Sequence, residues 1–212
     1  MILLFLIHSS NLFASENNES FDTSNDALMQ TTIIGAIASF AFACYQGKAP
    51  CSLSPNINTD KLTFSLDMGA DNTIKHARLA LGADWLESIY ESKNLKISGR
   101  MEINANFWQS TLDNPTNKNG FIIGIHPIFR YSSPTTFQQA YFELGAGPQI
   151  ISDTILENEN KSTLFQFGNV FGFGYANKNY EVGYRYLHYS NANIKMPNPG
   201  TDFHNLHVAY KF

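Results

Sequence analysis

From Lys61 to the end of the chain, apolar and polar positions alternate with a period of two. Leu62, Phe64, Leu66 and Met68 are set against Lys61, Thr63, Ser65 and Asp67. Ala77, Leu79, Leu81, Ala83 and Trp85 alternate with His76, Arg78, Ala80, Gly82 and Asp84. The pattern recurs over 95–107, 121–130, 141–150, 165–175, 180–190 and 202–212. Successive side chains of a strand point to opposite faces, so each segment predicts a strand with one apolar and one polar face. Val170 breaks the parity of its segment and is read as noise. Several segments reach about ten residues or more, the length of a membrane-crossing strand rather than of an ordinary sheet.

The connections also alternate. Residues 91–94 and 176–179 read as tight turns, whereas 109–119, 153–161 and 191–201 are longer and polar. With about eight strands, this predicts an all-β fold, an eight-stranded antiparallel transmembrane β-barrel, in which the apolar face meets lipid and the polar face fills the lumen. Arg78, Asp84, Lys96, Arg100, Glu102, Arg130, Glu143, Glu181 and Arg185 all fall on the polar face. Charges of both signs among glycines can pair inside a narrow barrel. A soluble β-sandwich shares the alternation, with its apolar face as the core.

Composition favours the barrel. Charged residues make up 15% of the 212 residues and aromatic residues 14%, yet mean hydropathy is only -0.20. No uninterrupted apolar run of about 18 residues is present. A net charge of -4 without a basic stripe argues against nucleic-acid binding. The last strand carries His204, Leu206, Val208, Tyr210 and Phe212 on one parity and ends on an aromatic residue, like the signal that directs outer-membrane barrel assembly.

The front of the chain is different. Residues 1–14, with apolar Ile2–Ile7 and small Ala14, are expected to be a signal peptide, although a positive start is missing. Residues 15–60 form an N-terminal extension, of which 16–30 read as an unstructured spacer. Its apolar stretch 33–43 is too short to cross a membrane as a helix and reads equally as a signal core, a short periplasmic helix or an extra strand. Cys44 and Cys51 are suited to a small disulfide loop and have no partners at zinc-finger spacing. Residues 61–212 are the barrel domain.

One cluster carries chemistry. His188 and Ser190 share a face near the end of the strand that starts at Tyr180. The next strand returns from Asp202, which in an antiparallel hairpin should lie beside His188 on the same face. A serine nucleophile, a histidine base and an orienting carboxylate are what acyl transfer needs. A His-x-Ser on a strand is more often structural, with the serine capping a turn. His126, His204 and His207 lack a serine at comparable spacing.

The segment His188-Tyr-Ser-Asn-Ala-Asn-Ile-Lys-Met-Pro-Asn-Pro-Gly200 resembles the signature of the PagL-type lipid A 3-O-deacylases. The similarity extends more weakly over 62–212 through 79–85 and 142–147. The resemblance implies an outer-membrane, eight-stranded barrel enzyme, a carboxylic ester hydrolase that releases a 3-hydroxy fatty acid from lipid A in lipopolysaccharide. It places a catalytic triad on His188, Ser190 and Asp202, with Asn191, Asn193 and Asn198 as oxyanion-hole or supporting residues. It implies no metal and no other cofactor, and it leaves open whether the chain forms a homodimer. Two positions depart from the family: Asp202 stands where Glu is usual, and Asn193 where Gly is frequent. The alternative reading is a non-catalytic small outer-membrane barrel with a structural or adhesive role.

Overall fold

The computed structural model describes residues 23–52, 57–134 and 139–212. Eight long strands follow one helix, α1 (Thr23–Tyr45). They are β1 (Ile57–Asp71), β2 (Ile74–Trp85), β3 (Lys96–Ser110), β4 (Asn119–Ser132), β5 (Gln139–Ile151), β6 (Phe165–Ala176), β7 (Tyr180–Ser190) and β8 (Thr201–Lys211). Each pairs antiparallel with its neighbours along the chain. The sheet closes where β1 meets β8, from Thr63↔Lys211 to Ala70↔His204. The expected eight-stranded antiparallel barrel is the observed fold, and closure leaves no free sheet edge in the apolar belt.

The alternation is inside out, as a membrane barrel requires. Phe64, Met68, Ile103, Phe107, Ile123 and Leu206 are large, apolar and exposed on the outer wall. Arg78, Glu102, Glu143, Arg185 and His207 are buried in the lumen. There the charges form one connected network. Arg78 pairs with Asp67 at 2.7 Å and with Glu102 at 3.0 Å, and Arg185 with Glu102 at 3.0 Å and Glu143 at 2.6 Å. Arg130 joins Glu143 (2.9 Å) to Glu181 (2.7 Å), and Arg100 joins Glu181 to Asp84, each at 2.8 Å. Every charge therefore has partners of opposite sign, the condition under which buried ions are tolerated.

The lumen is not polar throughout. Ile74, Trp108, Ile122, Val170, Leu187 and Phe203 pack into one buried apolar cluster. Val170 is therefore not noise. It points inward from β6, fully buried, while Phe167, Asn169 and Phe171 keep the outward parity. A barrel this narrow is filled by side chains, so its interior is a packed core and accepts apolar residues where they interlock. Above this cluster the long loops are knitted together. The Glu157 carboxylate accepts hydrogen bonds from Ser110 Oγ at 2.5 Å and Thr73 Oγ1 at 2.8 Å. The β1–β2 connection at the same end is a tight turn at Asn72 and Thr73 rather than a long loop.

The extension holds the main departure from expectation. Residues 23–30, read as spacer, are the first turns of a helix that continues to Tyr45. Its window Ala27–Tyr45 has mean hydropathy 1.7, long and apolar enough to cross a membrane. Polar Thr32 and Ser39 did not interrupt the helix because each hydroxyl donates to the carbonyl four residues earlier, Leu28 and Gly35. α1 lies on the outer wall against β5 and β6. Its barrel face is small: Thr32, Ala36, Ser39 and Ala43 are buried, and a Cβ at Gly35 would stand 2.6 Å from Leu144 Cδ1. Ser39 Oγ is also 2.5 Å from Tyr131 Oη. A disulfide joins Cys44, in the last turn of the helix, to Cys51 beyond it. That segment packs through Ala43 and Ala49 on Trp85, Ile89, Ile97 and Phe129. Lys48 hydrogen-bonds Glu87 here and holds its carboxyl below the usual carboxylate range. The signal peptide expected over 1–14 lies outside the described residues.

Candidate active site

The hairpin of β7 and β8 builds the site. Tyr184, Tyr186, His188 and Ser190 project from the outer face of β7, and the register sets His188 directly opposite Asp202. His188 Nδ1 is 2.6 Å from Asp202 Oδ1. A carboxylate can only accept, so Nδ1 carries the proton, and in the neutral imidazole Nε2 holds the lone pair. Nε2 is buried and has no hydrogen-bond partner among the described residues. A basic nitrogen is thus held ready on the wall of the barrel.

Ser190 lies two residues further along the same face and is nine-tenths buried. Its hydroxyl makes no hydrogen bond to Nε2, which has no partner among the described residues, and the two residues stand roughly 6.5–7 Å apart along the strand. Catalytic hydrogen bonds are often open without substrate and tighten when it binds. Gly200 backs the imidazole: a Cβ there would stand 2.5 Å from His188 Cε1. Only glycine leaves the ring where it is.

The segment 191–200 folds over the end of this face. The Asn191 backbone N–H donates to Asn198 Oδ1 at 2.8 Å, and Asn198 Nδ2 donates to Asn193 Oδ1 at 2.9 Å. Asn191 is fully buried, and its side-chain amide donates to the carbonyls of Lys161 (3.1 Å) and Lys195 (2.7 Å). Asn193 has φ +60°, a left-handed backbone that asparagine tolerates, and Ala192 before it has φ +52°. The three asparagines therefore brace one another. The second hydrogen of Asn198 Nδ2 remains beyond the one given to Asn193.

The structure brings His188 and Asp202 into contact, sets Ser190 beside them and puts Asn191, Asn193 and Asn198 in one loop. The histidines set aside lie elsewhere: His126 and His207 are buried in the lumen, and His204 bonds Tyr184 on the outer wall. Two contributors escaped the sequence reading. Lys161 Nζ donates to the carbonyls of Pro199 and Gly200, each at 3.1 Å, and so fixes the segment behind His188. Tyr186 donates from its hydroxyl to Asp202 Oδ1 at 2.9 Å. Tyr186 alone carried a signal, its shared parity with His188. Among the described residues no group of three or more His, Cys, Asp or Glu is placed to hold a metal ion.

Residues 75–211 match the family model described as lipid A 3-O-deacylase (PagL). The chain belongs to the PagL family. It is 38% identical over 87 residues to lipid A deacylase PagL of Bordetella bronchiseptica, an alignment that covers 41% of this chain and 47% of that protein. It is 28% identical over 130 residues to lipid A deacylase PagL of Pseudomonas aeruginosa, covering 61% of this chain and 73% of the relative. The crystal structure of the outer membrane enzyme PagL superposes with a TM-score of 0.59 at 23% identity and covers 72% of this chain and 98% of its own. That likeness is one of fold. α1 precedes the region matched to the PagL family model. The barrel, its apolar belt and the family assign the chain to the outer membrane.

Gly200 offers a sharp test of the imidazole seat. Gly200→Ala is expected to push His188 off Asp202 and to lower deacylation about 100-fold, the scale set by misplacing a catalytic group by about 1 Å. Heat-modifiable gel mobility should stay that of the folded barrel. A wild-type rate in this variant would mean that the ring position does not matter.

Proposed function

We propose that the chain hydrolyses the ester at the 3 position of lipid A and releases a 3-hydroxy fatty acid, with residues 61–212 as the catalytic barrel and 15–60 as an extension. The observation that carries the reading is the pairing of His188 with Asp202 beside Ser190 on the lipid-facing wall. A nucleophile on that wall draws its substrate from the membrane side rather than from a soluble pocket.

In this reading Ser190 Oγ attacks the ester carbonyl while His188 Nε2 takes its proton. Asp202 holds Nδ1–H and stabilises the imidazolium that forms. The remaining Asn198 Nδ2 hydrogen donates to the oxyanion, and Asn191 and Asn193 hold that amide in place. The tetrahedral intermediate collapses, the 3-oxygen of lipid A leaves with the proton from His188, and an acyl-Ser190 remains. Water, deprotonated by His188, then attacks the acyl-enzyme, frees the fatty acid and returns the hydrogen to Ser190.

The test is mass spectrometry of lipid A from cells with and without the chain, in a host whose lipid A carries a 3-O-acyl group. Expression should yield lipid A lighter by one hydroxyacyl chain. Unchanged lipid A from cells in which the folded barrel is present would favour the non-catalytic barrel instead.

A further inference from the structure

We propose that Tyr186 is a positioning residue for the reaction, its hydroxyl fixing the carboxylate that orients His188. This rests on the triad reading. Tyr186 precedes His188 by two on the outer face of β7, and the register pairs it with His204, leaving Asp202 as its diagonal neighbour. Such diagonals span about 7–8 Å, within reach of an aromatic side chain. The hydroxyl lies 2.9 Å from Asp202 Oδ1, the oxygen that also accepts from His188 Nδ1 at 2.6 Å. One carboxylate oxygen thus gathers both donors.

Burial makes this more than a surface contact. Tyr186 is fully buried although it belongs to the outer wall, with the His204 ring 5.5 Å away and Phe171 opposite on β6. A buried phenol keeps its hydroxyl paired, and bonds to an ionised acceptor are the stronger kind. Asp202 needs such an anchor. It stands at the start of β8 with 23% of its side chain exposed, next to the 191–200 loop. A short carboxylate there can turn toward water and release the imidazole, and the phenol holds it in the conformer that faces Nδ1. The influence of Tyr186 passes through Asp202.

The test is a double-mutant cycle with Tyr186→Phe and Asp202→Ala, followed in single-turnover assays with enzyme in excess so that slow variants stay measurable. Tyr186→Phe should lower kcat about 10- to 100-fold, the value of a hydrogen bond to a charged group, with KM unchanged. In the Asp202→Ala background the same change should have almost no further effect, since the group it positions is gone. Tyr184→Phe, which removes the 2.5 Å bond to His204 on the same face, should leave kcat near that of the wild type. Heat-modifiable mobility reports folding in every case. A wild-type kcat for Tyr186→Phe, or losses that multiply in the double variant, would overturn the proposal. Failure of the triad itself would appear separately, as activity retained in Ser190→Ala.

Discussion

Ser190→Ala is expected to lower lipid A deacylation by about 10^4- to 10^6-fold, because a triad works as a unit and loses nearly all its effect with the nucleophile. His188→Ala should fall in the same range. The geometry gives the reason. His188 Nε2 is a buried, unpaired base on the same face as the Ser190 hydroxyl, and β7 and β8 hold no other serine. On the proposed mechanism, the imidazole without Oγ would have nothing to deprotonate except water, and no acyl-enzyme would form. The fold should be untouched, since Ser190 is the last residue of β7 and its replacement by Ala removes one oxygen. The check is the deacylation rate on purified lipid A with heat-modifiable mobility as the folding control. Activity within tenfold of wild type in the folded variant would remove Ser190 from the mechanism.

Arg185→Met should have the largest effect on stability, about 3–5 kcal/mol, the scale for removing one partner of a buried ion pair. Arg185 is fully buried and donates to Glu143 at 2.6 Å and to Glu102 at 3.0 Å and 3.1 Å. Met fills much of the same volume but leaves these carboxylates undercompensated, with Arg78, Arg100 and Arg130 as their remaining partners. Urea unfolding in detergent micelles measures the difference. A change below about 1 kcal/mol, the range of an exposed pair, would mean that the network is slack and water-filled. Activity of the fraction that remains folded should persist, because the lumen and the catalytic wall are opposite faces of the same sheet.

The strands were readable because lipid on one side and packed side chains on the other impose a strict period of two from Leu62 to Phe212. The site was readable for the same reason: parity and one hairpin bring His188 opposite Asp202 without any long-range information. What lay hidden depends on partners distant in the chain. Val170 and Phe203 take inward positions that the alternation of their strands gives them. What the pattern does not encode is that these lumen positions are apolar, which follows from their packing with Trp108 and Ile122 across the lumen. Lys161 serves the site only because its loop folds beside Pro199 and Gly200. α1 was missed at its polar start, where Thr23–Gln30 resemble linker but adopt the helical turns that continue into the apolar run.

The most direct measurement is covalent trapping in the membrane with a lipophilic fluorophosphonate, followed by peptide mapping. An activated serine attacks phosphorus and is labelled, whereas an ordinary serine is not. The account predicts a single adduct on Ser190 that disappears in His188→Ala. Label on a different serine, or an adduct on Ser190 whose rate is indifferent to His188, would contradict it.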